Sequence, residues 1–239
     1  MIPFFRKIRK KMADDNRPLK YARYAIGEIV LVVIGILIAL QINTWNEGRK
    51  EKNKAKAYAD KLINDIVQDT LNINELISNG HEKTANIDAY FKFFSEGDHT
   101  IDAYIDSVAK VNWTFFRYQP LNYTFEDMKS SGNLALLTEA QRRSMMELLN
   151  LQEQLGIIIE KNVTGTHNYN YEGNKYLDLT DHDFHKILGT DLSEKEKEKG
   201  LLARHHAFEQ LLSLYYYMDS FGTEIKEKSR VTIELLEGD

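Results

Sequence analysis

Two histidine pairs are the first residues whose types could do chemistry. His182-x-x-His185, flanked by Asp181 and Asp183, has a spacing that a helix would present on one side, and His205-His206 is a second pair among the seven histidines. Imidazole and carboxylate suit a divalent metal, but a site needs fixed third and fourth ligands, and neither pair supplies them. Ser107-x-x-Lys110 copies a known serine-nucleophile spacing, yet the Ser-Asp-Asn and Lys-Thr-Gly elements that complete such a site are missing. Ser130-Ser131-Gly132 reads better as a helix end than as a nucleophile, and neither a Gly-rich phosphate loop nor a Gly-x-Ser-x-Gly elbow occurs. The absence of cysteine excludes disulfides and thiolate metal sites. The expectation is a chain that is not an enzyme and holds no cofactor and no metal.

Two stretches have the composition of a binding surface. Trp113, Phe115, Phe116, Tyr118, Pro120 and Tyr123 fall within a few turns of chain. They suit either a stacking platform for a ligand or, as the favoured reading, a core that pins a connecting segment to helix ends. Thr164 to Tyr176 (TGTHNYNYEGNKY) is polar, aromatic and punctuated by glycine, which fits a binding loop or a connection at the end of a bundle equally well.

The strongest single signal is apolar. Ile29 to Leu40 contains no polar side chain, and no charge follows until Glu47. From Tyr24 to Asn46 a helix of about 23 residues would be about 35 Å long, enough to cross a hydrocarbon core of about 30 Å. Tyr21, Tyr24 and Trp45 stand at the depths where aromatic belts form. A cleaved signal peptide would want small residues at alternate positions after the run, and Ala39-Leu40-Gln41-Ile42-Asn43 is a poor site of that kind. Eight Lys or Arg precede the run and six follow it within a similar distance, which assigns residues 1–23 to the cytoplasm as a basic tail. Residues 24–46 form the transmembrane helix, and residues 47–239 an extracytoplasmic helical domain.

On a helical wheel Glu28, Val32, Gly35, Ala39, Ile42, Asn43 and Asn46 share a sector of about 100°. Gly35-x-x-x-Ala39 would let a second helix approach closely, while Glu28, Asn43 and Asn46 could hydrogen-bond across the contact. These five residues are the candidate helix-pairing site, in a homo-oligomer or with another membrane protein. The alternative is that small residues are simply common in membrane helices. Glu28, at the edge of the run near Arg23 and Lys20, suits an interfacial structural role, helix pairing, or proton or ion movement.

Tyr24 to Lys50 (YAIGEIVLVVIGILIALQINTWNEGRK), after the basic FFRKIRKK start, resembles a family of small bacterial single-pass membrane proteins of unknown function. Thr124 to Leu137 (TFEDMKSSGNLALL) carries a looser likeness. The resemblance implies an inner-membrane location and offers no activity to transfer.

Beyond the anchor the pattern predicts an all-α fold in which the transmembrane helix continues into a long helix of an antiparallel bundle. A 4-3 spacing picks out Leu62, Ile66, Asp69, Ile73, Leu76, Gly80, Lys83, Ile87, Tyr90 and Phe94, with Asn79-Gly80 as a place where the helix could bend. A short helix is expected over Ile101 to Lys110. Thr124 is read as the cap of another short helix ended by Gly132-Asn133. Thr138 with Gln141, and Ser193 with Glu196, read as capping boxes opening longer helices. Met145, Leu148, Leu155 and Ile159 form the apolar face of the first, and Phe208, Leu211, Tyr215, Met218 and Ile225 that of the second.

The expected partners are the lipid bilayer and either a second copy or a membrane protein. A nucleic-acid surface is not expected on an acidic domain, and the sequence leaves any small-molecule ligand open. Three functions follow: a non-catalytic module that engages a protein partner, an extracytoplasmic ligand sensor acting through a membrane partner, and an ion-coupled subunit that uses Glu28.

Overall fold

The structure, a computed structural model, describes residues 18–177 and 191–238. The chain divides into two compact units, Met1–Lys56 and Ala57–Asp239. No strand occurs among the described residues, and the helices are α1 (Pro18–Glu96), α2 (Ile101–Ala109), α3 (Tyr123–Ser130), a 3-10 turn at Asn133–Leu136, α4 (Glu139–Asn174) and α5 (Glu194–Glu237). The backbone is helical straight through Asn79 and Gly80, because Gly80 lies against Met218 and Tyr215 of α5.

Within the first unit, α1 contains one segment long and apolar enough to cross a membrane, and none of that window is buried. Its apolar side chains from Ile29 to Leu40 are all exposed.

The second unit is built on three long helices. Gln141 meets Leu235, Ser144 meets Thr232, and Arg204 meets Asn170, so α4 and α5 run antiparallel. His81 meets Asp219 and Tyr90 meets His205, which makes α1 antiparallel to α5 as well. The segment from α2 to α3 runs back along α1, since Tyr118 reaches Asp69, Thr124 reaches Asp65 and Asp127 reaches Tyr58.

The periodicity explains the core. Eight of the ten stripe residues of α1 are buried; Lys83 is half-buried and Phe94 exposed. On α5 the buried seam Leu201, Arg204, Phe208, Leu211, Tyr215, Met218, Gly222, Ile225, Ser229, Thr232 and Leu236 alternates three and four apart, with Gly200, Ala207 and Leu214 buried beside it. That is the 3.5-residue repeat of a packed seam. Both capping boxes form. The Thr138 N–H donates to Gln141 Oε1 at 2.9 Å, and the Ser193 N–H donates to Glu196 Oε2 at 2.9 Å. Gly132 has the left-handed φ of +71° expected just past a helix end.

One cap differs from expectation. Helix α3 starts at Tyr123, one residue before Thr124, and the side chain of its N-cap Asn122 makes no capping hydrogen bond. The orphan N–H of Thr124 instead donates to Asp65 on α1 at 3.0 Å, so a tertiary contact does the work of a local cap.

Gly222 sets the approach of α5 to α1. A Cβ there would lie 2.6 Å from Ile77 Cδ1 and 3.1 Å from Ile73 Cγ2. Gly222→Ala gains about 1 kcal/mol of helix propensity but must displace those atoms, for an expected net loss of about 1–2 kcal/mol. Since Ile77 Cδ1 is the first atom met, Ile77→Val should recover part of that loss. Additive urea-unfolding energies for the two changes would rule this contact out as the cause.

Candidate functional site

Two polar constellations lie in the bundle seam, where side chains are otherwise apolar. The first centres on Asp69, 1% exposed in the α1 stripe. Its Oδ2 accepts from Tyr118 Oη at 2.7 Å and from Gln152 Nε2 at 2.5 Å, while Oδ1 accepts from the Leu121 N–H at 3.1 Å. Burial raises the Asp69 pKa, and these three donors oppose the rise by stabilising the carboxylate. Burial, then the neighbouring Asp69 charge, pushes the Tyr118 hydroxyl well above the usual phenol range, so it stays a neutral donor. Three elements thereby converge on one carboxylate: α1, the non-helical stretch before α3, and α4. The arrangement fastens chain segments together.

The second centres on Arg204 of α5, 6% exposed. Nη1 donates to Asn170 Oδ1 at 2.5 Å, and Nη2 donates to Asn174 Oδ1 and, at 3.1 Å, to the Leu177 carbonyl. Beside it a cavity of about 510 Å3 opens between the end of α2, the stretch that follows it, α4 and α5. Trp113, Phe115, His167, Asn170 and Arg204 are among its lining residues. The Phe115 and His167 rings are 3.8 Å apart between centroids, and Trp113 meets Phe115 edge-on at 5.1 Å.

Most of the aromatic stretch does both: Trp113, Phe116, packed on Tyr215 at 5.7 Å, and Tyr118 pack against the core, while Phe116 and Tyr118 also line one cavity and Trp113 and Phe115 another. Thr164 to Tyr176 is not a loop and not a connection: α4 continues through it to Asn174. Thr166, Asn170 and Gly173 are its buried positions, and they keep the helical spacing of Leu148, Leu155 and Ile159 with polar or small residues in place of apolar ones.

The other candidates are dispersed. Asp181, Asp183, His182 and His185 lie outside the described residues. His205 Nδ1 lies 3.2 Å from Tyr90 Oη, and His206 Nδ1 lies 2.9 Å from Glu209 Oε2. Burial lowers the His205 pKa, which favours a neutral ring in an aromatic cluster with Tyr90, Phe91 and Phe94. No group of three or more His, Cys, Asp or Glu side chains that could hold a metal occurs among the described residues. The Ser107 hydroxyl donates to the Tyr104 carbonyl at 2.7 Å, and those of Ser130 and Ser131 donate to the Asp127 carbonyl. All three are committed to helix ends. Gly35, Ala39, Asn43 and Asn46 are exposed and Glu28 half-buried, and Asn43 Nδ2 donates to Glu47 Oε1 at 2.9 Å.

A model described as a family of unknown function (DUF6090) matches residues 28–171, more than half of the chain. The chain belongs to this family. The matched span starts at Glu28 and takes in Asp69, Tyr118, Gln152 and Asn170, whereas Arg204 and the rest of α5 lie beyond it. No curated protein and no solved structure matches the chain.

Sequence reasoning missed both buried constellations as sites. Each left a signal: Asp69 stands in an apolar 4-3 stripe, and Arg204 stands one repeat before Phe208 and Leu211 on a seam.

Proposed function

We propose that this protein is a single-pass, membrane-anchored, non-catalytic module whose helical domain engages a protein partner. The observation that carries the anchor is the run Ile29 to Leu40, apolar and wholly exposed. Such a surface is favourable in lipid and costly in water. The proposed topology puts the basic N-terminus in the cytoplasm and the helical domain in the periplasm of a bacterial inner membrane, following the excess of Lys and Arg before the run. Gly35 and Ala39, with Glu28, Asn43 and Asn46 on the same sector, form the proposed pairing face for a second membrane helix. The partner reading is supported by Leu202 and Tyr216, two heptads apart on one exposed face of α5, with Tyr217 beside them. Tyrosine is enriched in protein interfaces.

Protease added to spheroplasts should degrade the helical domain and spare an epitope tag on the N-terminus. The double change Leu31→Arg and Ile38→Arg, at about 2.5–3.5 kcal/mol per charge in the bilayer centre, should release the chain from carbonate-washed membranes. Retention of the double variant would count against the anchor. A photo-crosslinker at Tyr216 in native membranes should give a discrete adduct of higher mass, and its absence would count against the partner.

A further inference from the structure

We propose that Trp45, Arg49, Lys52 and Lys56 form a binding stripe for anionic phospholipid headgroups in the leaflet at the C-terminal end of the apolar run. The inference rests on the proposed membrane anchor and adds a lipid class to it.

The stripe follows from helix geometry. The four residues succeed one another at spacings of four, three and four. On the unbroken helix α1 that spacing puts them within a sector of about 60°. All four are exposed, Trp45 by 68%. The acidic residues interleaved with them, Glu47 and Glu51, fall on the far side of the helix, about 130–170° from the middle of the stripe. Lys50 and Lys54 share that far side, so one face is purely cationic and the other is mixed. No carboxylate pairs with Arg49, Lys52 or Lys56 among the described residues. The proposed pairing sector of Glu28, Gly35, Ala39, Asn43 and Asn46 is centred about 100° away, which leaves the stripe open to lipid when two helices pair.

The depths fit a headgroup layer. With Trp45 at the edge of the hydrocarbon, Arg49, Lys52 and Lys56 stand about 6, 10 and 16 Å above it, and the headgroup layer of one leaflet is about 5–8 Å thick. Helical side chains lean toward the N-terminus, which here means back toward the apolar run. Arg49 shows this: its guanidinium lies over the Trp45 ring, 5.9 Å from the centroid. A guanidinium at that height presents its planar fork of donors to lipid phosphate, which can take them in pairs. Lys52 reaches the same layer by laying its stem down the helix. Lys56 stands about 8 Å beyond the headgroups, one Debye length at physiological salt, and adds attraction without contact. The positive-inside rule disfavours cations on the translocated side. A basic cluster there weakens the proposed orientation and calls for a use on that side.

The test uses the full chain with Trp113→Phe, which leaves Trp45 as the sole tryptophan. It is reconstituted in vesicles of equal parts phosphatidylcholine and phosphatidylglycerol, with bromine on the acyl chains of one lipid or the other. Quenching of Trp45 fluorescence then reports which lipid sits beside it. Phosphatidylglycerol should be enriched there at least about 5-fold, the factor that one cation near an anionic surface contributes. Arg49→Gln with Lys52→Gln should bring the preference close to one. Lys50→Gln with Lys54→Gln removes the same charge from the other face and should leave the preference in place. Equal losses from the two pairs, or no preference in the parent chain, would overturn the stripe while leaving the anchor intact. Trp45 unquenched by both lipids would overturn the anchor itself and the stripe with it. Loss of the preference in millimolar inorganic phosphate at constant ionic strength would place a free anion in the stripe and overturn the lipid. Should Trp113→Phe fail to fold, the cysteine-free chain takes a fluorophore at Gln41→Cys, one turn below Trp45, with nitroxide-labelled forms of the two lipids, and the same outcomes decide.

Discussion

Asp69→Ala should remove about 3–5 kcal/mol from the stability of the helical domain, because each buried donor left without an acceptor costs about 1–3 kcal/mol. Three donors lose their acceptor at once: the Tyr118 hydroxyl, the Leu121 N–H and the Gln152 amide. Denaturant unfolding followed by circular dichroism reads the loss. Asp69→Asn keeps an acceptor but turns one oxygen into a donor facing donors, so it should fall between the wild type and alanine. A loss below about 1 kcal/mol for alanine would mean that water replaces the carboxylate and that the segment before α3 is not fastened by it.

The same carboxylate gives a pH signature of known sign. Burial raises the folded-state pKa of Asp69 above its ordinary value of 3.8, so the native state holds that proton more tightly than the unfolded chain does. Stability therefore falls as pH rises from about 3.8 through the folded pKa, and levels off above it. Subtracting the profile of Asp69→Asn from that of the wild type removes the contributions of other groups. The difference should favour the wild type increasingly as pH falls across that window. A difference that grows with rising pH would mean that the three hydrogen bonds outweigh burial and hold the carboxyl below its ordinary range.

These residues also show what periodicity reveals and what it hides. The stripe on α1 and the seam on α5 are legible because burial repeats every three or four residues, and Leu62, Ile73, Phe208 and Met218 announce it by being apolar. The spacing locates Asp69 within the stripe but gives it no role, because its partners Tyr118, Leu121 and Gln152 are 49 to 83 residues away in sequence. The end of α4 is hidden for the complementary reason. Its spacing persists through Thr166, Asn170 and Gly173, but hydropathy does not. Its glycines resemble loop punctuation, yet a Cβ at Gly173 would lie 3.1 Å from Arg204 Nε, and one at Gly165 would lie 3.2 Å from Gln210 Oε1. They mark close approach between helices, which only the folded partner makes visible. The start of α3 is obscured because its cap comes from Asp65 on another helix, and a local signal cannot record that.

Phe208 should prove the most sensitive apolar position, because it is 1% exposed and stands where α5 meets α1. Phe208→Ala should cost about 3–5 kcal/mol, made up of lost transfer energy and the cavity left behind. Part of that cost is specific to one neighbour. Tyr90 meets Phe208 edge-on, with centroids 5.0 Å apart at 73°, a geometry worth about 0.5–1.5 kcal/mol beyond area alone. Phe208→Leu keeps most of the volume and removes the ring, so it should cost less than alanine but more than a well-tolerated swap of about 1 kcal/mol. Combining Phe208→Leu with Tyr90→Leu in a double-mutant cycle isolates the ring contact. Tyr90 also holds His205 Nδ1 at 3.2 Å, so the same cycle run with Tyr90→Phe should show almost no coupling, because that change spares the ring and removes only the hydroxyl. Coupling of similar size in both cycles would place the interaction in the Tyr90–His205 hydrogen bond and not in the edge-on ring contact.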